Sequence, residues 1–125
     1  MTPNEISGQI VDAAINVHRE LGPGLLESTY QACLIYELLS RKLQVQTELP
    51  LPVQYRDVRL EIGYRIDLLV DETVIVEVKA VTKLLPIHEA QLLSYLKLSH
   101  KKLGLLINFN EIKVIDGIKR LVNNL

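Results

Sequence analysis

The stretch Arg65-Ile66-Asp67-Leu68-Leu69-Val70-Asp71-Glu72-Thr73-Val74-Ile75-Val76-Glu77-Val78-Lys79 decides how this chain folds. Leu68-Leu69-Val70 and Val74-Ile75-Val76 are apolar and largely β-branched, the composition of buried strands. Asp71-Glu72 between them reads as a turn. The pattern predicts one strand from Arg59 to Val70 and another from Thr73 to Val81. Glu77 and Lys79 are two apart, so they point to one face of the second strand. Charged side chains projecting from such a strand are costly unless they are paired or hold a cation. Whether Asp67 joins them depends on the loop. Pairing Val70 with Val74 across three residues puts Asp67 opposite Glu77 on the same face. A two-residue loop puts them on opposite faces unless a bulge corrects the register. Two carboxylates with waters and substrate oxygens suit Mg²⁺ or Mn²⁺. A lysine beside them can orient or deprotonate a water, or stabilise developing charge. The other use of the same residues is a salt-bridge ladder on a solvated edge. A metal-free site is expected to hold Lys79 in an ion pair with a carboxylate, and clustered carboxyls are expected to raise one another's pKa.

Upstream, residues 4–20 read as a helix. Thr2 can cap it, Pro3 suits its first position, and Ile6, Ile10, Ala13, Ala14, Val17 and Leu21 mark one buried face. Gly22-Pro23-Gly24 stops it, and a second helix is expected from Leu25 to Lys42. Val45–Leu49 and Pro52–Arg56 read as one strand interrupted by Pro50 and Pro52, bent or at an edge. Downstream, Pro86 opens a helix to Ser99, Leu103–Phe109 is a buried strand, and Ile112–Ile115 with Ile118–Val122 predict a hairpin through Asp116-Gly117. The three central strands should form an antiparallel meander. The Pro86–Ser99 helix should be a right-handed crossover between two parallel strands. The expected class is α/β, a mixed sheet with helices on it.

With 125 residues, the chain suits one domain spanning 1–125. It is 48% hydrophobic and 23% charged, an ordinary globular composition. Cys33 stands alone, which rules out an internal disulfide and a thiolate zinc cluster, and favours a reducing compartment. Nothing approaches the ~18 consecutive apolar residues of a membrane span. Met1-Thr2-Pro3-Asn4-Glu5 lacks the features of a signal peptide, so the expected location is cytoplasmic, with no membrane partner. The net charge of −1 is not that of a chain gripping DNA by charge alone. It is unevenly spread, −6 over residues 1–78 and +5 over residues 79–125. That reads either as an acidic metal pocket beside a basic face or as chance.

Asp67 with Glu77-Val78-Lys79 resembles the core motif of the PD-(D/E)xK phosphodiesterase superfamily, with Ile66 where the motif names proline. Gln91 and Tyr95 resemble the QxxxY motif of its recombination-exonuclease branch. Gly24-Leu25-Leu26-Glu27-Ser28-Thr29-Tyr30 reads GxxExxY and resembles the signature of a small bacterial family of that name. Val17–Gly24 and Leu103–Phe109 are also similar to that family, so the likeness runs from about Ile6 to Phe109. The resemblance implies a restriction-endonuclease-like αβββαβ core with an extra N-terminal helix and a C-terminal hairpin. It implies Glu27, Asp67, Glu77 and the Val78 carbonyl as ligands of Mg²⁺, for which Mn²⁺ can substitute. It also implies Lys79 as the catalytic lysine, with Glu27, Asp67 and Glu77 completing the catalytic set. Gln91 and Tyr95 would contact substrate phosphate or brace the site, and Tyr30 shares a helix face with Glu27 on the substrate side.

The implied activity is metal-dependent phosphodiester hydrolysis on nucleic acid, DNA ahead of RNA. The alternative is a catalytically silent module that binds nucleic acid or a partner protein. So small a domain has little surface to grip a duplex, so an active form is expected to be a homodimer or to work with a partner protein. Read without the resemblance, Glu27 is a first-turn acid favoured by the helix dipole. His88, Gln91, Tyr95 and Ser99 form a polar stripe. His18 is satisfied or at the surface, and Cys33 belongs to the core. Tyr30, Tyr36, Tyr55 and Tyr64 are better explained by packing than by stacking on bases.

Overall fold

Thr2 starts the first helix by a reciprocal cap. Its hydroxyl accepts the Glu5 N–H at 3.1 Å, and the Glu5 carboxylate accepts the Thr2 N–H at 2.9 Å. Helix α1 then runs Pro3–Leu21 and stops at Gly22, whose φ of 68° suits a residue without Cβ. The structure, a computed structural model, describes residues 1–124. Helix α2 spans Glu27–Ser40, and β1 follows at Val45–Pro50. A short hairpin of β2 (Val53–Tyr55) and β3 (Val58–Leu60) comes next, then β4 (Arg65–Val70) and β5 (Val74–Lys79). Helix α3 (Pro86–Ser99) leads to β6 (Leu103–Asn108), a 3-10 turn at Val114–Gly117, and β7 (Ile118–Val122).

The main sheet has the order β1-β4-β5-β6-β7. The β5–β6 pair is parallel and the rest are antiparallel. This is the expected α/β, restriction-endonuclease-like architecture: α2-β1-β4-β5-α3-β6 is the core, α1 precedes it and β7 follows. Alternation of side chains divides the core into two layers. Val74, Val76 and Val78 of β5 pack with Leu103, Leu105 and Ile107 against α1 and α2. Ile75 and Leu106 face Leu92, Tyr95 and Leu96 of α3. Gly104 lets α3 approach closely, since a Cβ there would lie 3.0 Å from a Leu92 methyl. Among the described residues no helix is long and apolar enough to cross a membrane.

Three expectations need correction. Val45–Leu49 and Pro52–Arg56 are not one interrupted strand. Pro50 ends β1, and Val53–Tyr55 turns into a separate two-stranded sheet with β3. Arg59–Val70 is likewise two strands, parted at residues 61–64, where Gly63 adopts a φ of 101°. The hairpin through Asp116-Gly117 does not form. Val114–Gly117 is a 3-10 turn, and β7 pairs back onto β6. Gly117 permits this path, because a Cβ there would meet the Asn108 carbonyl oxygen at 2.5 Å.

Candidate active site

The loop between β4 and β5 has three residues, and Val70 pairs with Val74. Its odd length brings Asp67 and Glu77 to the same face, the one covered by α3. The backbone ladder ends at Leu68 and Val76, and beyond it the two acids replace the missing bonds. The Asp67 N–H donates to Glu77 Oε2 at 2.8 Å. The Val78 N–H donates to Asp67 Oδ2 at 2.9 Å. One oxygen of each carboxylate is thus anchored. The other accepts no hydrogen bond from the described residues, and no buried side-chain oxygen or nitrogen among them lacks a partner, so both free oxygens reach solvent. A strand residue points its N–H and C=O to the same side. The Val78 carbonyl therefore faces the same gap between β4 and β5.

Electrostatically the pair is costly. Glu77 is only 4% exposed, and burial, with the Asp67 charge second, pushes its carboxyl up to about 8. Asp67 is also raised, by burial first and then by Glu48 and Glu27, against the opposing hydrogen bond from Val78 and the charge of Lys79. The expected elevation is therefore present in these two, with desolvation rather than mutual repulsion as its main cause. Lys79 shares the face of Glu77, and its charge lowers the pKa of both acids. It makes no ion pair with either one among the described residues, contrary to expectation. Its carbonyl is held by the Phe109 N–H at 2.9 Å.

The other expected residues are placed unequally. Glu27 is the first residue of α2, exposed, and near enough for its charge to act on Asp67. It does not close a ligand cage: among the described residues no three His, Cys, Asp or Glu side chains converge to hold a metal by themselves. Gln91 and Tyr95 line a pocket of about 560 Å³ together with Lys79. His88 lines it too, and its Nδ1 accepts the Leu85 N–H at 3.0 Å, capping α3. Ser99, the end of that stripe, turns its hydroxyl to the Tyr95 carbonyl at 2.7 Å. A larger pocket of about 610 Å³ lies between α1 and α2, away from the acids, and Cys33 lines it, half-buried.

Tyr30 is not a substrate contact in this structure. It is 0% exposed and stacks on Phe109 with ring centroids 4.7 Å apart. Its hydroxyl donates to the Gly22 carbonyl at 2.5 Å and accepts the Leu25 N–H at 3.1 Å. The tyrosine of the heptad thus ties down the turn that delivers Glu27. His18 is satisfied, with Nε2 2.7 Å from the Glu111 carbonyl.

Two residues escaped sequence reading. Glu48 on β1 stands across from Asp67, between the pairs Thr47–Leu68 and Leu49–Ile66, and its charge raises the pKa of both Asp67 and Glu77. Its carboxylate accepts from Gln31 of α2 at 2.9 Å. A φ of 48° there was the one unusual local feature, and sequence does not display it. Asn108 is fully buried beside Lys79 in the register. Its side chain accepts the Val81 N–H at 3.0 Å and donates to the Val81 carbonyl at 2.9 Å, fixing the strand end that carries Lys79. The isolated amide in the apolar run Leu103–Phe109 was a legible signal for it. The basic pair Lys101-Lys102 precedes β6 at its Leu103 end, whereas Lys79 pairs with Asn108 at the other, so this part of the positive charge does not flank the acids.

The donor set fits a hard dication. Two carboxylates with free oxygens and a carbonyl leave positions for water and phosphate, the usual environment of Mg²⁺. No curated protein and no solved structure matches this chain. Residues 4–121 do match the family model of the PD-(D/E)XK nuclease superfamily, and the chain belongs to that superfamily.

Proposed function

We propose that this chain is a metal-dependent nuclease of the GxxExxY branch, hydrolysing a phosphodiester bond of DNA. The observation that carries the reading is the Asp67–Glu77 pair. Glu77 is buried with the half-buried Asp67 beside it, and its carboxyl is raised to about 8, which costs stability unless a cation joins them. Asp67, Glu77 and the Val78 carbonyl would hold Mg²⁺, or Mn²⁺ in its place, with Glu27 completing the site through water or substrate. The ion would supply charge neutralisation for the pentavalent phosphorus and acidify a bound water.

The chain's own groups do the rest. Lys79 projects two residues beyond Glu77 on the same face, where its ammonium orients the attacking water and stabilises the charge that develops on the phosphate oxygens. Gln91 and Tyr95 line the same pocket and offer an amide and a hydroxyl to the phosphate oxygens. Asn108 holds the β5 end in place, so Lys79 is presented without reorganisation.

A second reading, a silent module that binds nucleic acid or a protein, is favoured by one observation. Lys101 and Lys102 stand at the far end of the sheet and contribute no grip beside the acids. Nicking of supercoiled plasmid separates the two. Cleavage by wild type with Mg²⁺ or Mn²⁺, absent with EDTA and absent in Lys79→Ala, is the expected result. No cleavage with either ion leaves the binding module.

A further inference from the structure

We propose that the pocket between the β2–β3 hairpin and α3 receives one unstacked nucleobase beside the cleaved bond, so that the substrate is a single strand or an opened duplex rather than closed duplex. The position of the base relative to the cut rests on the nuclease reading; the base pocket itself does not.

The pocket measures about 560 Å³, within the roughly 300–1,000 Å³ of sites that enclose a small organic group. Lys79, two residues beyond Glu77 on the same face, forms part of its wall, and the charges of Glu77 and Asp67 act on Tyr95, another of its lining residues. Its other walls are largely apolar and aromatic: Val53 and Tyr64 from the hairpin side, and Ile87, Tyr95 and Leu98 from α3. Tyr95 is buried and forms the floor. Tyr64 meets it edge-on, with centroids 6.2 Å apart at 64°, yet remains 43% exposed. Ile87, from α3, is 67% exposed. An aromatic ring and an aliphatic side chain that line one pocket and are both left to water offer the apolar surface that the faces of a base require. Ser94, which also lines the pocket, adds a hydrogen-bonding group for its edge.

Charge points the same way. With a net charge of −1, and with Lys101-Lys102 at the end of the sheet away from the acids, overall charge gives the chain a weak grip on phosphates. Stacking on an aromatic supplies affinity without charge, and only an unpaired base can offer its face. A closed duplex keeps its bases stacked and would have to extrude one, which costs a few kcal/mol.

The test is fluorescence anisotropy with the full chain in Ca²⁺, comparing a labelled oligonucleotide single-stranded and as a closed duplex. The single strand should bind at least about tenfold more tightly. Tyr64→Ala should weaken it about 5- to 150-fold, the loss expected for one stacking ring. Tyr64→Phe should retain affinity, because the ring and not the hydroxyl acts. Tyr36→Ala, on the α1–α2 side, should change nothing. Equal affinity for closed duplex, no binding to either, or an indifferent Tyr64→Ala overturns the proposal. Cleavage in Mg²⁺ or Mn²⁺ is scored separately. A wild type that cuts duplex and single strand alike, with Tyr64→Ala unaffected, keeps the nuclease and loses the pocket. A wild type that never cuts but binds single strands through Tyr64 keeps the pocket and loses the nuclease.

Discussion

Asp67 and Glu77 hold each other's strands. The Asp67 N–H donates to the Glu77 carboxylate at 2.8 Å, while the Asp67 carboxylate takes the Val78 N–H at 2.9 Å. Side chains thus finish a ladder that the backbone abandons at Leu68 and Val76. Backbone pairing stops there and the two carboxyl groups stand in for it, with one oxygen of each left free. The opening of the sheet and the assembly of the acids are one structural event.

That event makes stability depend on pH. The Glu77 carboxyl is raised from 4.5 to about 8, mainly by burial. Between those values the folded chain keeps a proton that the unfolded chain has lost. Unfolding releases it, so the contribution is full below the lower value and lost as pH rises through the upper one, by at most about 1.4 kcal/mol per pH unit. Asp67, raised as well, acts in the same direction. Urea unfolding in EDTA should therefore show falling stability from pH 5 to pH 8. Glu77→Gln, which keeps an acceptor for the Asp67 N–H, should flatten the slope. Saturating Mg²⁺ should flatten it too, because a cation favours the ionised form. A slope unchanged in Glu77→Gln would place the titrating group elsewhere.

Tyr30→Phe tests whether the tyrosine of the heptad acts through structure. Losing the hydroxyl leaves the Gly22 carbonyl and the Leu25 N–H without their partner. An expected cost of about 1–3 kcal/mol follows from stranding partly buried polar groups. Because the affected turn leads into Glu27, turnover should fall while the affinity for single-stranded oligonucleotide stays the same. Denaturant midpoints and a cleavage assay read the two effects. A Tyr30→Phe protein of wild-type stability would contradict the bracing role.

The β4–β5 pair was legible because it is local, but the sequence leaves its loop at two or three residues; the three-residue loop of the structure sets the parity and with it the face of Asp67. The first helix was legible from its cap and spacing, and the other two from the Gly22-Pro23-Gly24 break and from Pro86. The β2–β3 hairpin was not, because Arg56 and Asp57 at its tip are ordinary polar residues and Arg59–Val70 reads as one continuous strand. Its break at residues 61–64 goes with Gly63 adopting positive φ, a backbone choice that a glycine permits but does not announce. Glu48 was invisible for a related reason. It lies 19 positions from Asp67 in the chain and meets it only through the β1–β4 register, which no short-range pattern specifies. Tyr64 belongs to the same blind spot, since its place over Tyr95 follows from the hairpin break.

Glu48→Gln exposes that hidden neighbour. Its negative charge opposes ionisation of both Asp67 and Glu77, so its removal should lower both pKa values. Carbon-detected NMR titration of the metal-free protein reads this directly. The effect should shrink with added salt, because Glu48 is exposed and its field is screened. Unmoved titration curves for both acids would show that Glu48 does not act on the site.

Lys79→Ala and Asp67→Ala should separate catalysis from ion binding. Lysine is no metal ligand, so Lys79→Ala should abolish cleavage and leave calorimetric Mg²⁺ or Mn²⁺ binding within a few-fold of wild type. Asp67→Ala removes a hard oxygen donor and also strands the Val78 N–H, so it should lose both cleavage and ion binding. Asp67→Asn keeps an acceptor for that N–H and removes one charge from beside Glu77. It should lose cleavage yet stabilise the metal-free protein at neutral pH by about 0.5–2 kcal/mol, as expected where a site is held against its own repulsion. The opposite pattern, with Lys79→Ala losing the ion and Asp67→Ala keeping it, would reverse the assigned roles. A wild type that binds neither ion at millimolar concentration, even with nucleic acid present, would end the catalytic reading, because the buried pair would then have no cation to neutralise it.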